Sequence, residues 1–451
     1  MAILPIDGGR YGTKEMLNIF NENQKIKYQL EVEGAVASAQ AKLNLIPIDA
    51  SKDILNIIRL GRITINQIKK LEVKNDHDTA SLVEAISKKC KKNTRPWIHY
   101  GLTSNDLVDT SNSMQIRDAL KIMEDRIYKL ASILLAKAIK YKKLPAVGRT
   151  HGQHASIISF GLKFANWGIE MLKHLERLEE SKKRILLCKT LGVVGTGSLM
   201  GSQAINVQKI VAKKLKLYSI DVATQIIPRE RYSEYVFQLV LISSTLEKIS
   251  IEIRNLQRTE ISEMQEYFKS GQIGSSAIPI KKNPIKSERI SSLVKLLRGH
   301  LLTSLENVSL WHERDLSNSA NERFIIPTCT ILVDEMLDIM IKIINNLIIN
   351  KDKIVQNINL TKGRIFSEFI MQALIKKGVS RLIAYKTIQK ISFSFYQDKI
   401  DYIKSLKKNK LISSNLTNKE INEIFIPENH LGSSITMIEK CNAMVKNAII
   451  K

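Results

Sequence analysis

Proline spacing constrains this chain more than any other feature. Nine prolines are spread over 451 residues, and none falls between Pro145 and Pro228 or between Pro228 and Pro279. A proline ends or kinks a helix, so long proline-free stretches with apolar residues at helical spacing read as long helices. Leu17, Phe20, Leu30, Val36 and Leu43 recur in this way until Pro47. The pattern predicts helical stretches over residues 15–46, 105–141, 156–185, 233–268, 287–321 and 329–355. These exceed the average globular helix of about 12 residues, and long antiparallel helices build bundles. With no strand-rich region and no strong internal repeat, the expected fold class is all-α. Breaks near Thr103–Asp106 and Asn357–Lys362 imply three helical domains, 1–106, 107–357 and 358–451, the central one a long-helix bundle.

A chain of this length can bury a large core, and 25% charged with 6% aromatic residues is a globular composition. Cys90, Cys188, Cys329 and Cys441 lie far apart with no Cys-x-x-Cys pair. That argues against a disulfide framework or a zinc site and for a reducing, cytoplasmic setting. The N-terminus lacks the basic-then-apolar pattern of a secretory signal. The most apolar segment, 336–350, is interrupted by Asp338, Lys342, Asn345 and Asn346, and no membrane association is expected. A net charge of +25 raises nucleic-acid binding as a role. The lysines are spread along the chain, Ile and Asn are also abundant, and no zinc finger, RNP-like aromatic motif or dense arginine tract is present. Nucleic acid is therefore not the expected partner, although a local part of the charge suits a multiply anionic small substrate.

The segment 271–284, Gly-Gln-Ile-Gly-Ser-Ser-Ala-Ile-Pro-Ile-Lys-Lys-Asn-Pro, places two hydroxyls, Ser275 and Ser276, among hinge glycines. Lys281, Lys282 and Asn283 follow within a few residues, which suits a loop closing over an anion. Read on composition alone it is equally an interhelix linker. Gly148-Arg149-Thr150-His151-Gly152-Gln153-His154 precedes a long predicted helix, where anions are favoured; His151 is otherwise a capping or packing residue. Thr103-Ser104-Asn105-Asp106 opens another helix, with Ser104 or Asn105 as a cap and a corner fit for a carboxylate. Asp76-His77-Asp78 precedes a helix that Asp78 would cap. Gly192–Gly201 is glycine-dense but lies in helical surroundings and reads as a loop, since a dinucleotide site needs a preceding strand.

These blocks, in this order, resemble the adenylosuccinate lyase family within the fumarase, aspartase and argininosuccinate lyase superfamily. The signature loop Gly-Ser-Ser-x-Met-Pro-x-Lys-x-Asn-Pro matches Gly274–Pro284 with Ile278 in place of Met. The family's usual polar residue at 280 is Ile here, and its usual arginine at 282 is Lys. The resemblance runs from Arg10 to Arg323. It implies that His151 is the proton donor with His77 tuning it, and that Ser275, or its neighbour Ser276, is the base. It also implies that Lys281 and Asn283 face the developing charge. Arg10, Tyr11, Asp76, His77, Asp78, Thr103, Ser104, Gln225, Arg289, Arg314, Ser319 and Arg323 fall on substrate-binding positions, the distal arginines gripping a phosphate with guanidinium forks.

The reaction implied is β-elimination of fumarate from a succinylated nucleotide, without metal or other cofactor, in a homotetramer whose central helices form the common core and whose sites draw on several subunits. The alternatives are another lyase of the superfamily, such as argininosuccinate lyase, and a non-catalytic basic helical protein that binds nucleic acid. Arg10, Tyr11, Arg314 and Arg323 discriminate against the first, and the intact Thr150-His151 and Ser275-Lys281-Asn283 sets against the second.

Overall fold

In the computed structural model, which describes residues 4–398 and 401–448, eighteen α-helices carry the chain and the strands are short two-stranded pieces. The fold is all-α. The chain forms two compact units, and neither is contiguous in sequence. The first takes residues up to Ile127, His174–Leu246 and Ser292–Ile339; the second takes Tyr128–Lys173, Glu247–Ser291 and the residues from Met340 onward. Among the described residues no helix is long and apolar enough to cross a membrane.

In the first unit, buried Leu107, Met114 and Ile116 belong to the helix Ser104–Lys140, and buried Tyr235, Val236 and Leu239 to Glu230–Leu256. Polar bonds fix how the helices pair. Tyr235 Oη lies 2.9 Å from Thr330 Oγ1, and Ser233 Oγ donates to Ser304 O at 2.7 Å. Arg126 bridges Asp334, Asp338 and Glu15. The helix Ser319–Asn345 contains Pro327, although the proline spacing predicts a helix that begins only at Cys329. A mid-helix proline removes one amide bond and costs about 3 kcal/mol. Buried Ile325, Ile326, Cys329, Leu332 and Val333 around it offset that cost.

In the second unit, Gly161 and Gly168 let two helices approach closely. A Cβ at Gly161 would meet Ala138 O at 2.4 Å, and one at Gly168 would meet Leu135 Cγ at 2.7 Å. Beside that contact Tyr141 stacks on Phe164, and Phe160 and Trp167 meet these rings edge to face. The structure corrects the predicted start of the helix at 156. Residues Pro145–Thr150 and Gln153–Ser159 form an antiparallel hairpin, and the helix begins at Phe160. Val147 and Ile157 of the hairpin are buried with Ile358, Ile365, Phe366 and Leu431, so β-branched side chains on one face outweigh helical periodicity. The helix predicted over 233–268 ends at Leu256, and the one over 287–321 ends at Glu306. The first break carries Ser262 at a left-handed φ of 48°. The second is rich in Asn, Ser and Asp, which bond their own backbone in place of a helix ladder.

Candidate active site

The first unit holds a cavity of about 580 Å³. Asp76, His77, Asp78, Ser104, Arg314, Ser319 and Arg323 all line it, so residues from three separate sequence blocks converge. Three helix starts supply its wall. His77, not Asp78 as the sequence suggests, caps the helix Asp78–Lys89: its Nδ1 accepts from Ala80 N at 3.3 Å. An accepting Nδ1 places the ring proton on Nε2. Asp78 instead accepts from Thr79 N at 2.7 Å and from Arg323 Nη2 at 3.0 Å. Burial pushes the Asp78 carboxyl up, but the Thr79 amide and the Arg323 guanidinium outweigh it and hold it below the usual range. Asp76 ends the preceding helix in a left-handed conformation.

Gln225 joins the cavity wall indirectly, accepting from Arg314 Nη1 at 2.9 Å. Arg314 Nε is buried without a partner among the described residues. Burial, with Arg229 nearby, depresses the Arg314 guanidinium. A half-buried guanidinium with one enclosed, unpartnered N–H, lining the same cavity as Ser319 of the helix Ser319–Asn345, is suited to receive an anion. Thr103 adjoins Ser104 at the start of the helix Ser104–Lys140. Arg10 and Tyr11 are not among the residues lining this cavity; Arg10 is exposed and Tyr11 half-buried.

The second unit carries the other predicted residues. His151 stands at the tip of the hairpin rather than beside a helix start. His151 and Gly152 have φ of 51° and 73°, the two-residue turn whose twist matches its strands. Arg149 ties the hairpin down, donating from Nη2 to Glu263 at 2.6 Å, and Asn357 Nδ2 donates to the same fully buried carboxylate at 2.7 Å. The signature loop curls on itself. Asn283 Nδ2 donates to Gly274 O at 3.0 Å, and a Cβ at Gly274 would meet Lys281 O at 2.1 Å, so only glycine fits. Ser275 Oγ accepts from the amides of Ile278 at 3.1 Å and Ala277 at 3.3 Å. Lys281 and Asn283 line a second cavity of about 830 Å³ together with Arg254, Arg258 and Lys282. Ser275 and Arg289 are half-buried and are not among its lining residues. After the loop, Glu266 accepts from Ser287 N at 2.7 Å and anchors the start of the helix Ile285–Glu306.

Sequence reasoning missed the buried charges behind these groups. Arg229 bonds Asp109 through both Nη atoms at 2.9 Å and Glu322 through Nε at 2.9 Å. Burial works against the Arg229 cation, yet Asp109 and Glu322 raise it well above its ordinary value. Arg229→Met leaves two buried carboxylates uncompensated and is expected to lower stability by about 3–5 kcal/mol, measured as a drop in urea midpoint; an unchanged midpoint would mean the network contributes nothing. Asp106 and Lys189 form a second such pair at 2.5 Å, both fully buried. The available signal was a lone lysine in the apolar run Leu186-Leu187-Cys188-Lys189-Thr190-Leu191. Among the described residues, no group of three or more His, Cys, Asp or Glu is placed to hold a metal ion.

Residues 9–298 match the family described as Lyase, and residues 363–441 match the one described as Adenylosuccinate lyase C-terminus. The adenylosuccinate lyase of Methanocaldococcus jannaschii is 39% identical over 448 residues, covering 99% of this chain and 97% of the relative. The chain belongs to the adenylosuccinate lyase family. That of Pyrococcus horikoshii is 38% identical over 98% of this chain and 97% of its own length. In fold, this adenylosuccinate lyase family member superposes on a fumarate lyase from Mesorhizobium sp. BNC1 with a TM-score of 0.88 at 26% identity, covering 96% of this chain and 98% of that one. It also superposes on a 3-carboxy-cis,cis-muconate lactonizing enzyme from Pseudomonas putida with a TM-score of 0.89 at 25% identity, covering 98% and 99%. The family match extends to 441, well past Arg323, where the recognisable sequence blocks end.

Proposed function

We propose that this chain is a cytoplasmic lyase that eliminates fumarate from adenylosuccinate, giving AMP, and from succinylaminoimidazole carboxamide ribotide, giving aminoimidazole carboxamide ribotide. The observation that carries the reading is the cavity in which Asp78, Ser104, Ser319 and Arg323 converge with the half-buried Arg314, whose buried Nε has no partner among the described residues. Arg314, Ser319 and Arg323 take the phosphate, with Gln225 aiming Arg314. Arg10 and Tyr11 complete the nucleotide grip. Thr103 and Ser104 take a carboxylate of the succinyl group. Asp76 and Asp78 shape the wall around His77.

The chemistry follows from the remaining residues. Ser275, ionised, removes the proton from the carbon next to a carboxylate. The electron pair rests first on the adjacent carboxylate as the aci-carboxylate, then collapses to form the new double bond as the carbon–nitrogen bond breaks, and His151 protonates the departing nitrogen. His77, its Nε2–H fixed by capping, orients His151. Lys281, Asn283 and Arg289 stabilise the doubly charged aci-carboxylate. The two donated amides support Ser275 over Ser276, since donors to an oxygen favour its ionised form. The resemblance implies a homotetramer, and we assign the complete site to neighbouring copies that share the nucleotide-binding and base-bearing residues. The long helices of the segment 107–357 make the core, flanked by 1–106 and 358–451.

The test is the absorbance change on converting adenylosuccinate to AMP, with argininosuccinate and aspartate as controls. Turnover of adenylosuccinate alone is expected. Activity on a control and none on adenylosuccinate would overturn the substrate assignment.

A further inference from the structure

We propose that Asp106 and Lys189 are positioning residues that hold the Thr103-Ser104 corner in its carboxylate-binding geometry while cancelling the negative charge behind it. The inference rests on the carboxylate role given to that corner above.

Two fully buried charges in one core are costly unless every bond is made, and here the bonds are specific. Asp106 Oδ1 accepts from Lys189 Nζ at 2.5 Å. Its Oδ2 accepts from Thr103 N at 2.9 Å and from Gly192 N at 3.0 Å. Asp106 N in turn donates to Thr103 O at 3.0 Å. Both backbone groups of Thr103 are thus committed to one residue, which fixes the direction in which the helix starts. Lys189 is itself bracketed: its N donates to Thr110 Oγ1 at 3.2 Å, Thr110 Oγ1 donates to Lys189 O at 3.0 Å, and its Nζ also donates to Gly192 O at 3.2 Å. Gly192 closes the clamp from the other side. It has a φ of 75°, and a Cβ there would sit 3.0 Å from Gly101 O, two residues before Thr103.

The next two amides, those of Ser104 and Asn105, have no intrahelical partner by the geometry of a helix start, and both residues line the cavity. A carboxylate at Asp106 gives rigid hydrogen bonds but opposes a dicarboxylate approaching the same helix start. Lys189 removes that repulsion without reaching solvent. The arrangement therefore predicts selective damage. Losing the ammonium harms binding of the dicarboxylate half of the substrate and spares the nucleotide half.

The experiment measures inhibition constants for fumarate and for AMP against adenylosuccinate turnover, using the full chain as wild type, Lys189→Met and the double variant Asp106→Asn/Lys189→Met. For Lys189→Met the fumarate constant is expected to rise at least about 10-fold, the scale of a lost charge-assisted bond, with the AMP constant within about 2-fold. In the double variant, which leaves no uncompensated charge, a smaller rise of about 3-fold, again confined to fumarate, is expected; this variant decides the matter should the single one fail to fold. Parallel loss for both ligands, or an unchanged fumarate constant, overturns the inference. A wild type without activity on adenylosuccinate would instead overturn the functional reading itself.

Discussion

Ser275→Ala is expected to reduce turnover of adenylosuccinate about 1,000-fold, within the range for losing a general base, while substrate affinity stays within a few-fold. An isolated serine hydroxyl is too weak a base for carbon acids, so its environment must favour the alkoxide. The loop supplies one of the needed elements before any substrate arrives. Two backbone amides donate to Ser275 Oγ. The fold-back at Gly274 brings the Lys281 backbone against the residue preceding Ser275. Ser276 is exposed, and Ser276→Ala is expected to retain near-normal turnover. Measuring kcat and substrate dissociation for both variants separates the neighbours. Near-normal kcat in Ser275→Ala would falsify the assignment, and a large loss in Ser276→Ala alone would exchange their roles.

The loop was legible from sequence because its chemistry is local. Gly274, Ser275, Lys281 and Asn283 lie within ten positions, and the fold-back needs only them. The long helices were legible for the same reason, since periodicity and proline spacing act over a few turns. The hairpin was not. Ile157 and Ile158 continue smoothly into the apolar face of the helix that follows, and only the His151-Gly152 pair betrays a two-residue turn. The buried pairs were least legible. Nothing near Asp109 in the chain announces Arg229 or Glu322, and Asp106 and Lys189 meet across 83 positions. Long-range electrostatics is specified by the fold, and a single sequence carries it only as oddly placed charges.

His151→Asn is expected to lose between about 100- and 10,000-fold in turnover, the span for a missing general acid. Asparagine suits the test because it tolerates the left-handed backbone at φ 51°, so the hairpin keeps its shape while the proton donor is gone. Circular dichroism and substrate binding should match wild type. If the site is shared between copies, mixing Arg323→Met with Ser275→Ala chains, each strongly impaired alone, restores activity as hybrid assemblies form. No recovery after verified subunit exchange would place the nucleotide-binding and base-bearing residues in sites built from one chain and sink the shared-site proposal. Wild-type turnover in His151→Asn would remove this residue as the acid.

The turn at His151-Gly152 also filters which damaged versions of the protein survive. Bulky or β-branched replacements at a left-handed position strain the hairpin and compromise the fold around Val147 and Ile157. Asn and Asp fit the backbone and leave the packing intact. Random change at this residue therefore favours chains that fold and bind yet cannot turn over. In a population of mixed copies, such chains would persist as well-formed, silent subunits instead of being cleared as misfolded ones.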